Sequence, residues 1–221
     1  LILNTPSNPP GNILSRKLIE EIADIVVEND LWVFSDEAYE DITYDGAKHV
    51  SMASLNGMKE YTATFHTFSK SYAMCGFRLG YCSGPKSFIS EMIKSHHYIT
   101  LAAPYISQLM GVKALSLSSK YIDSMVKEYD KRRKFIVSGL NDIGMKTIMP
   151  SGAFYTFSNV KDFGMNSSAF ASKLLSQAKV AVIPGTEFGP FGEGYIRCSF
   201  ASSYSKIETA LERIGKFVHN N

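Results

Sequence analysis

The polar residues with chemical potential in this chain follow short apolar runs. Asn4 and Asn8 come after residues 1–3, Asp36 after residues 31–34, and Thr67, Ser69 and Lys70 close a run that starts at Tyr61. Arg78 lies eight residues beyond that lysine, and Arg197 sits late, inside residues 195–200. An open α/β sheet keeps its ligands at the carboxyl ends of its strands or in the loops just beyond. If the runs are strands, these side chains fall there. An amine, a carboxylate, hydroxyls, amides and two guanidinium groups are suited to holding an anion and moving a proton. Singly, each has an ordinary explanation: an asparagine near prolines makes a turn, an aspartate after a strand caps a helix, and a lysine lies on the surface.

The elements that must position them are those of an ordinary globular chain. With 45% hydrophobic and 20% charged residues in 221, disorder, collagen and coiled coil are excluded. A formal charge of +2 is too small for an electrostatic footprint on nucleic acid or acidic lipid, so neither partner is expected and a charged ligand must be held locally. Three cysteines with no close pair fit neither a disulfide framework nor a zinc site, and the five histidines show no ligand spacing with them; no metal is expected. No apolar run approaches the ~18 residues of a membrane span. A reducing cytoplasm is the expected location. The chain opens on an apolar run without methionine, which reads as part of a longer polypeptide.

Residues 1–4 read as a buried strand and Ser15 as the cap of a helix carrying Leu18, Ile22, Ile25 and Val26. Residues 31–34 read as a strand buried on both faces, giving a parallel strand-helix-strand unit. Residues 61–68 and 79–83 read as two more strands. The link between them, 69–78, is shorter than a parallel crossover needs, so they are expected to be antiparallel, bringing Arg78 near Lys70. Pro85 and Pro104 open helices, the second carrying Ile106, Leu109, Met110 and Leu117; a long helix follows over 120–142, with Gly144 as its stop. Within it, Lys131-Arg132-Arg133-Lys134 reads as a solvated face. Beyond lie a strand over 145–159, a helix over 167–179, strands over 180–183 and 194–200, and a helix over 203–218.

Together the polar residues form a pattern. Asn4-Thr5-Pro6-Ser7-Asn8-Pro9-Pro10-Gly11, Ser35-Asp36-Glu37-Ala38-Tyr39, Thr67-Phe68-Ser69-Lys70 with Arg78, and Tyr195-Ile196-Arg197-Cys198-Ser199-Phe200 occur in the order seen in fold type I pyridoxal-phosphate aminotransferases. The chain resembles the aspartate aminotransferase superfamily over its whole length. Pro10 stands where that family usually has threonine.

The resemblance implies pyridoxal 5'-phosphate as cofactor. Lys70 would form a Schiff base with its aldehyde and, once freed, carry a proton to and from the substrate Cα. Asp36 would pair with the ring nitrogen, and Glu37, pointing the other way from a strand, would not. Tyr39 and Asn8 would hydrogen-bond the phenolic oxygen; Arg78, Thr67 and Ser69 would hold the phosphate; Arg197, with Asn8 in reach, would bind the substrate α-carboxylate. Phe154, Tyr155 and Gly152, and the segments Pro184-Gly185 and Phe188-Gly189, also look family-like, though core packing explains aromatics equally well.

The fold class implied is α/β. Residues 1–118 would be the later part of a large cofactor-binding domain, its N-terminal part missing, with a mostly parallel sheet and helices. Residues 119–221 would be a small α+β C-terminal domain entered by a linking helix. The activity implied is transfer of an amino group from an amino acid to a 2-oxo acid by a homodimer, with the chain a C-terminal portion that is inactive alone. The same residues serve carbon-sulfur lyases on this fold. They also suit a non-catalytic cofactor-sensing domain of a transcription regulator.

Overall fold

The structure, a computed structural model, describes residues 1–220. The chain divides into two compact units: Leu1–Pro6 with Ile13–Ser124, and Ser7–Asn12 with the chain from Met125 onward.

The first unit is built on a four-stranded sheet of order β1-β2-β3-β4: β1 Ile2–Asn4, β2 Val33–Asp36, β3 Thr62–Thr67 and β4 Gly80–Ser83. The first three strands run parallel, with Asn4 opposite Asp36 and Asp36 opposite Phe65. β4 runs antiparallel to β3, with Thr67 opposite Gly80, as the short link between them predicts. Helix α1, Arg16–Glu28, starts where Ser15 accepts a hydrogen bond from the Leu18 N–H. It packs Ile19, Ala23 and Val26 against Leu3 and Val33, with Met52 and Met58 completing the cluster.

That packing corrects two expectations. The buried stripe of α1 is Ile19, Ala23 and Val26, with Leu18 and Ile25 exposed. β2 is buried on one face only: Val33 and Ser35 face α1, while Phe34 is partly exposed on the opposite face. Trp32, included in the strand from sequence, precedes it. On that second face the ring of Phe88, from α2 (Lys86–Thr100), leans on Trp32 and Phe34, and the other side chains of α2 are half-buried or exposed. Helix α3, Tyr105–Leu115, inverts the expected pattern. It buries Ser107, Gly111 and Ala114 and exposes Ile106, Leu109 and Met110; Leu117 lies beyond its end. Small residues face inward because α3 runs close to the β3–β4 link: a Cβ at Gly111 would sit 2.5 Å from Leu79 Cδ2, and Ser107 Oγ donates to the Phe77 carbonyl at 2.7 Å.

Helix α4, Lys120–Asp142, has the expected bounds. Its basic run is not a uniform solvated face. Arg133 is fully buried, paired with Asp130 at 2.6 Å and donating to the Pro150 carbonyl, and Arg132 donates to the Ser202 carbonyl; Lys131 and Lys134 are the exposed members. The second unit holds a three-stranded antiparallel sheet, β5-β7-β6, made of Tyr155–Asn159, Tyr195–Ser199 and Ile183–Pro184. The strand expected over 145–159 forms only from Tyr155, with one bridge from Thr147 to Ser158, because Pro150 and Gly152 interrupt it. The helix expected over 167–179 is α5, Ser167–Lys173, followed by a wider turn at Leu174–Ala178. Helix α6, Tyr204–His219, buries Ile207, Leu211, Ile214 and Phe217, the last edge-on to Phe170 of α5.

Candidate active site

Parallel pairing brings the carboxyl ends of β1, β2 and β3 to one edge of the first sheet. Side chains alternate along a strand, so the register puts Asn4, Asp36, Phe65 and Thr67 on one face there. The Asp36 carbonyl is fixed by the Thr5 N–H and the Asn4 amide, and its carboxylate accepts from the Ala38 N–H at 3.2 Å. Asp36 also lines a hollow of about 380 Å³ with Ile2, Phe34, Ala38, Phe65, His66 and Thr67. Aromatic walls with a carboxylate and a hydroxyl among them suit a flat ring carrying a basic nitrogen.

Glu37 points the opposite way and is fully buried. It accepts from Ser35 Oγ at 2.9 Å and Ser51 Oγ at 2.7 Å and lies 2.9 Å from His49 Nε2. Burial alone would raise its pKa, but the hydrogen bonds from His49, Ser51 and Ser35 and the charge of His49 together hold it below the ordinary carboxylate range. Two carboxylates adjacent in sequence are thus separated by the sheet. Glu37, Glu40 and His66 also bring ligand atoms within 4.8 Å of one another. Both Glu37 oxygens already have hydrogen-bonding partners in the protein, so this cluster is explained without an ion.

Lys70 follows β3, its Nζ 5.5 Å from the centroid of the buried Tyr39 ring. Thr67 Oγ1 accepts from the Ser69 N–H and donates to the Leu79 carbonyl, tying the end of β3 to the chain that returns as β4. Arg78 lies on that return, left-handed at φ 51°, exposed, with Nη1 donating to the Cys75 carbonyl at 3.0 Å.

Asn8 and Arg197 belong to the second unit and meet there: Arg197 Nη1 donates to Asn8 Oδ1 at 2.8 Å. The guanidinium carbon stands 4.3 Å from the Tyr155 ring centroid and 4.8 Å from that of Phe188, and Nε is buried with no hydrogen-bond partner among the described residues. Rings on the guanidinium favour its planar, delocalised charge and restrict its rotation. Asn8 is held by a tight loop in which the Ser7 N–H donates to the Asn12 carbonyl and the Gly11 N–H to the Ser7 carbonyl. Gly11, at φ +73°, lies against the Pro150–Gly152 turn, where a Cβ would meet Pro150 and Gly152 within 2.7 Å.

Thus Asp36, Tyr39, Thr67, Ser69, Lys70 and Arg78 fall in the first unit and Asn8 and Arg197 in the second. Glu40, Asp41 and Ser71 were not singled out from sequence. Their signal is adjacency to Tyr39 and Lys70, and their contacts emerge only in the fold.

The aminotransferase class I and II family model matches residues 1–214. Aspartate aminotransferase of Pyrococcus abyssi is 47% identical over 98% of this chain and 56% of its own length. Aromatic-amino-acid aminotransferase 2 of Thermococcus litoralis is 44% identical over the same shares. The solved structure of aromatic aminotransferase from Pyrococcus horikoshii superposes with a TM-score of 0.96 at 46% identity, over 100% of this chain and 60% of that one. The chain belongs to the class I and II aminotransferases, in the pyridoxal-phosphate-dependent aspartate aminotransferase superfamily of fold type I. It spans about half the length of the curated relatives it matches.

Proposed function

We propose that the protein of which this chain is a part transfers an amino group from an amino acid to a 2-oxo acid, using pyridoxal 5'-phosphate. Family membership supports this reading, and the observation that carries it is the hollow at the end of β3, lined by Asp36, Thr67 and the rings of Phe34 and Phe65, with Lys70 following in the turn after Thr67. When bound, the cofactor supplies an aldehyde carbon and a ring that accepts electrons. Lys70 would hold that aldehyde and would move the proton at the substrate Cα. Asp36 would hold the proton on the ring nitrogen. Tyr39 and Asn8 would serve the phenolic oxygen, and Arg78, Thr67 and Ser69 would bind the phosphate. Arg197, its plane set by Tyr155 and Phe188, binds the α-carboxylate through a forked pair, with Asn8 beside it.

In this reading residues 1–118 are part of the large cofactor-binding domain and 119–221 the small C-terminal domain. The whole protein works as a homodimer in the cytoplasm. No helix among the described residues is long and apolar enough to cross a membrane.

The test is reduction with borohydride after incubating the chain with pyridoxal 5'-phosphate, then peptide mass spectrometry. The cofactor mass is expected on Lys70 and is expected to vanish in Lys70→Ala. Its appearance on surface lysines alone would refute the reading. The isolated chain is expected to bind the cofactor weakly and turn over little or no substrate; turnover near the enzyme median of roughly 10 per second would contradict that. Formation of a 2-oxo acid and ammonia from cystathionine, without an amino acceptor, would favour the lyase chemistry instead.

A further inference from the structure

Contacts among the described residues join the segment 39–41 to the segment 66–71, one of them through the lysine. Lys70 Nζ lies over the Tyr39 ring at 5.5 Å. On one side of it, the His66 imidazole meets Glu40 through Nδ1 and Oε1 at 2.8 Å. On the other, the Ser71 hydroxyl donates to the Asp41 carboxylate. Tyr39, Glu40 and Asp41 are consecutive on one turn; of their partners, His66 lies within β3, and Lys70 and Ser71 lie in the turn after it.

We propose that Glu40, Asp41, His66 and Ser71 are positioning residues, two hydrogen-bonded rungs that clasp the turn carrying Lys70 to the turn carrying Tyr39. The inference rests on the proposed role of Lys70 for its consequence and on geometry for its content. A lysine has four rotatable side-chain bonds and sits just past the last pair of β3, so the sheet alone does not fix it. The rungs remove freedom from the backbone on both sides of it. Ser71 is buried, and a second backbone bond, from the Ala73 N–H to the Lys70 carbonyl, closes the turn.

The His66 rung is itself braced. The imidazole stacks on Tyr81 of β4 at 4.7 Å and 19° and is largely buried. The hydrogen bond to Glu40 raises its pKa against the effect of burial, and the charges of Glu40, Glu37 and Asp41 push the same way. Burial raises the Asp41 carboxyl, the Ser71 hydrogen bond opposes this, and Glu40 adds to the rise. The Ser71 rung therefore supports an Asp41 carboxylate that burial disfavours, and the Glu40 rung favours the charged form of His66. Displacing the amine by a fraction of an ångström is enough to spoil a reacting geometry, and such a clasp would guard against that.

The test needs no cofactor. In the full chain, acylation of Lys70 by an amine-reactive anhydride is followed by mass spectrometry, with exposed Lys86 as internal reference. His66→Phe keeps a ring on Tyr81 but loses the rung, and Ser71→Ala loses the other. Each is expected to raise Lys70 labelling relative to Lys86 by about 2- to 10-fold, the factor of one net hydrogen bond. Glu40→Gln and Ser71→Thr, which retain an acceptor and a donor, are expected to label as the parent does. Unchanged labelling in both broken variants would overturn the clasp, as would a rise shared equally by Lys86. If borohydride leaves no cofactor on Lys70 of the unaltered chain while the labelling behaves as expected, the proposed function fails and the clasp stands.

Discussion

The two arginines assigned to anions are held in opposite ways. Arg197, in the second unit, is boxed: rings of Tyr155 and Phe188 on its guanidinium, Asn8 on one nitrogen, and a buried Nε. Arg78, in the first unit, is exposed and bonded to one local carbonyl. A boxed fork is set in position before a ligand arrives and so selects geometry; an exposed one adapts to its ligand and mostly contributes charge. The carboxylates show the same contrast inside one unit. Asp36 lines a hollow, while its neighbour Glu37 is enclosed by three hydrogen-bonding partners and serves the fold.

The largest expected effect separates chemistry from binding. In the longer family subunit, Lys70→Ala is expected to lower the transamination rate by at least roughly 10²–10⁴-fold, the usual worth of a positioned acid–base group, with overall fold unchanged by circular dichroism. A smaller loss would mean another group moves the proton.

The boxed arginine should tolerate replacement poorly. Arg197→Lys is expected to raise KM for the amino acid roughly 10- to 100-fold, because a charge-assisted fork contributes about 1.5–3 kcal/mol. Arg78→Lys should change cofactor affinity by less than that. Equal penalties would erase the distinction between the two settings.

For the carboxylate pair, Glu37→Gln is expected to destabilise the chain by about 1–3 kcal/mol in urea unfolding, while Asp36→Asn leaves stability nearly unchanged and removes cofactor retention. The pH dependence gives independent signs. The Glu37 pKa is lowered on folding, so its contribution is full above the ordinary glutamate range and is lost as pH falls through the lowered value. The His66 pKa is raised, so its contribution is full below the ordinary histidine value and is lost as pH rises through the raised one. Urea midpoints across pH should show the acid loss disappear in Glu37→Gln and the neutral-side loss disappear in His66→Phe.

The smallest effect concerns reactivity. Cys75 is exposed, whereas burial pushes the Cys198 thiol up to about 11 against Thr156 and Arg197. Alkylation at neutral pH should mark Cys75 first and Cys198 only on unfolding; early loss of Cys198 would show that the strand beside Arg197 opens readily.

Much of this was legible in order and spacing. The short link 69–78 forces the turn that makes β3 and β4 antiparallel, and strand alternation separates Asp36 from Glu37 without any coordinates. Periodicity failed where burial depends on a neighbour's shape. In α3 the large apolar residues suggest a buried face, yet Ser107, Gly111 and Ala114 go inward because Leu79 and Phe68 leave little room there. In α4 a basic run reads as solvated, yet Arg133 is buried because Asp130 and the Pro150 carbonyl satisfy it.

By itself the sequence determined the strand-and-helix order, the family pattern from Asn8 to Arg197, and which residue types stand at strand ends. These follow from local propensity and side-chain chemistry, which travel with the chain. Only the tertiary structure decided that Arg197 would lie among Tyr155, Phe188 and Asn8, or that Glu40 and Asp41 would reach His66 and Ser71. Those partners are remote in sequence, and no local preference encodes a contact whose geometry is set by how the elements pack.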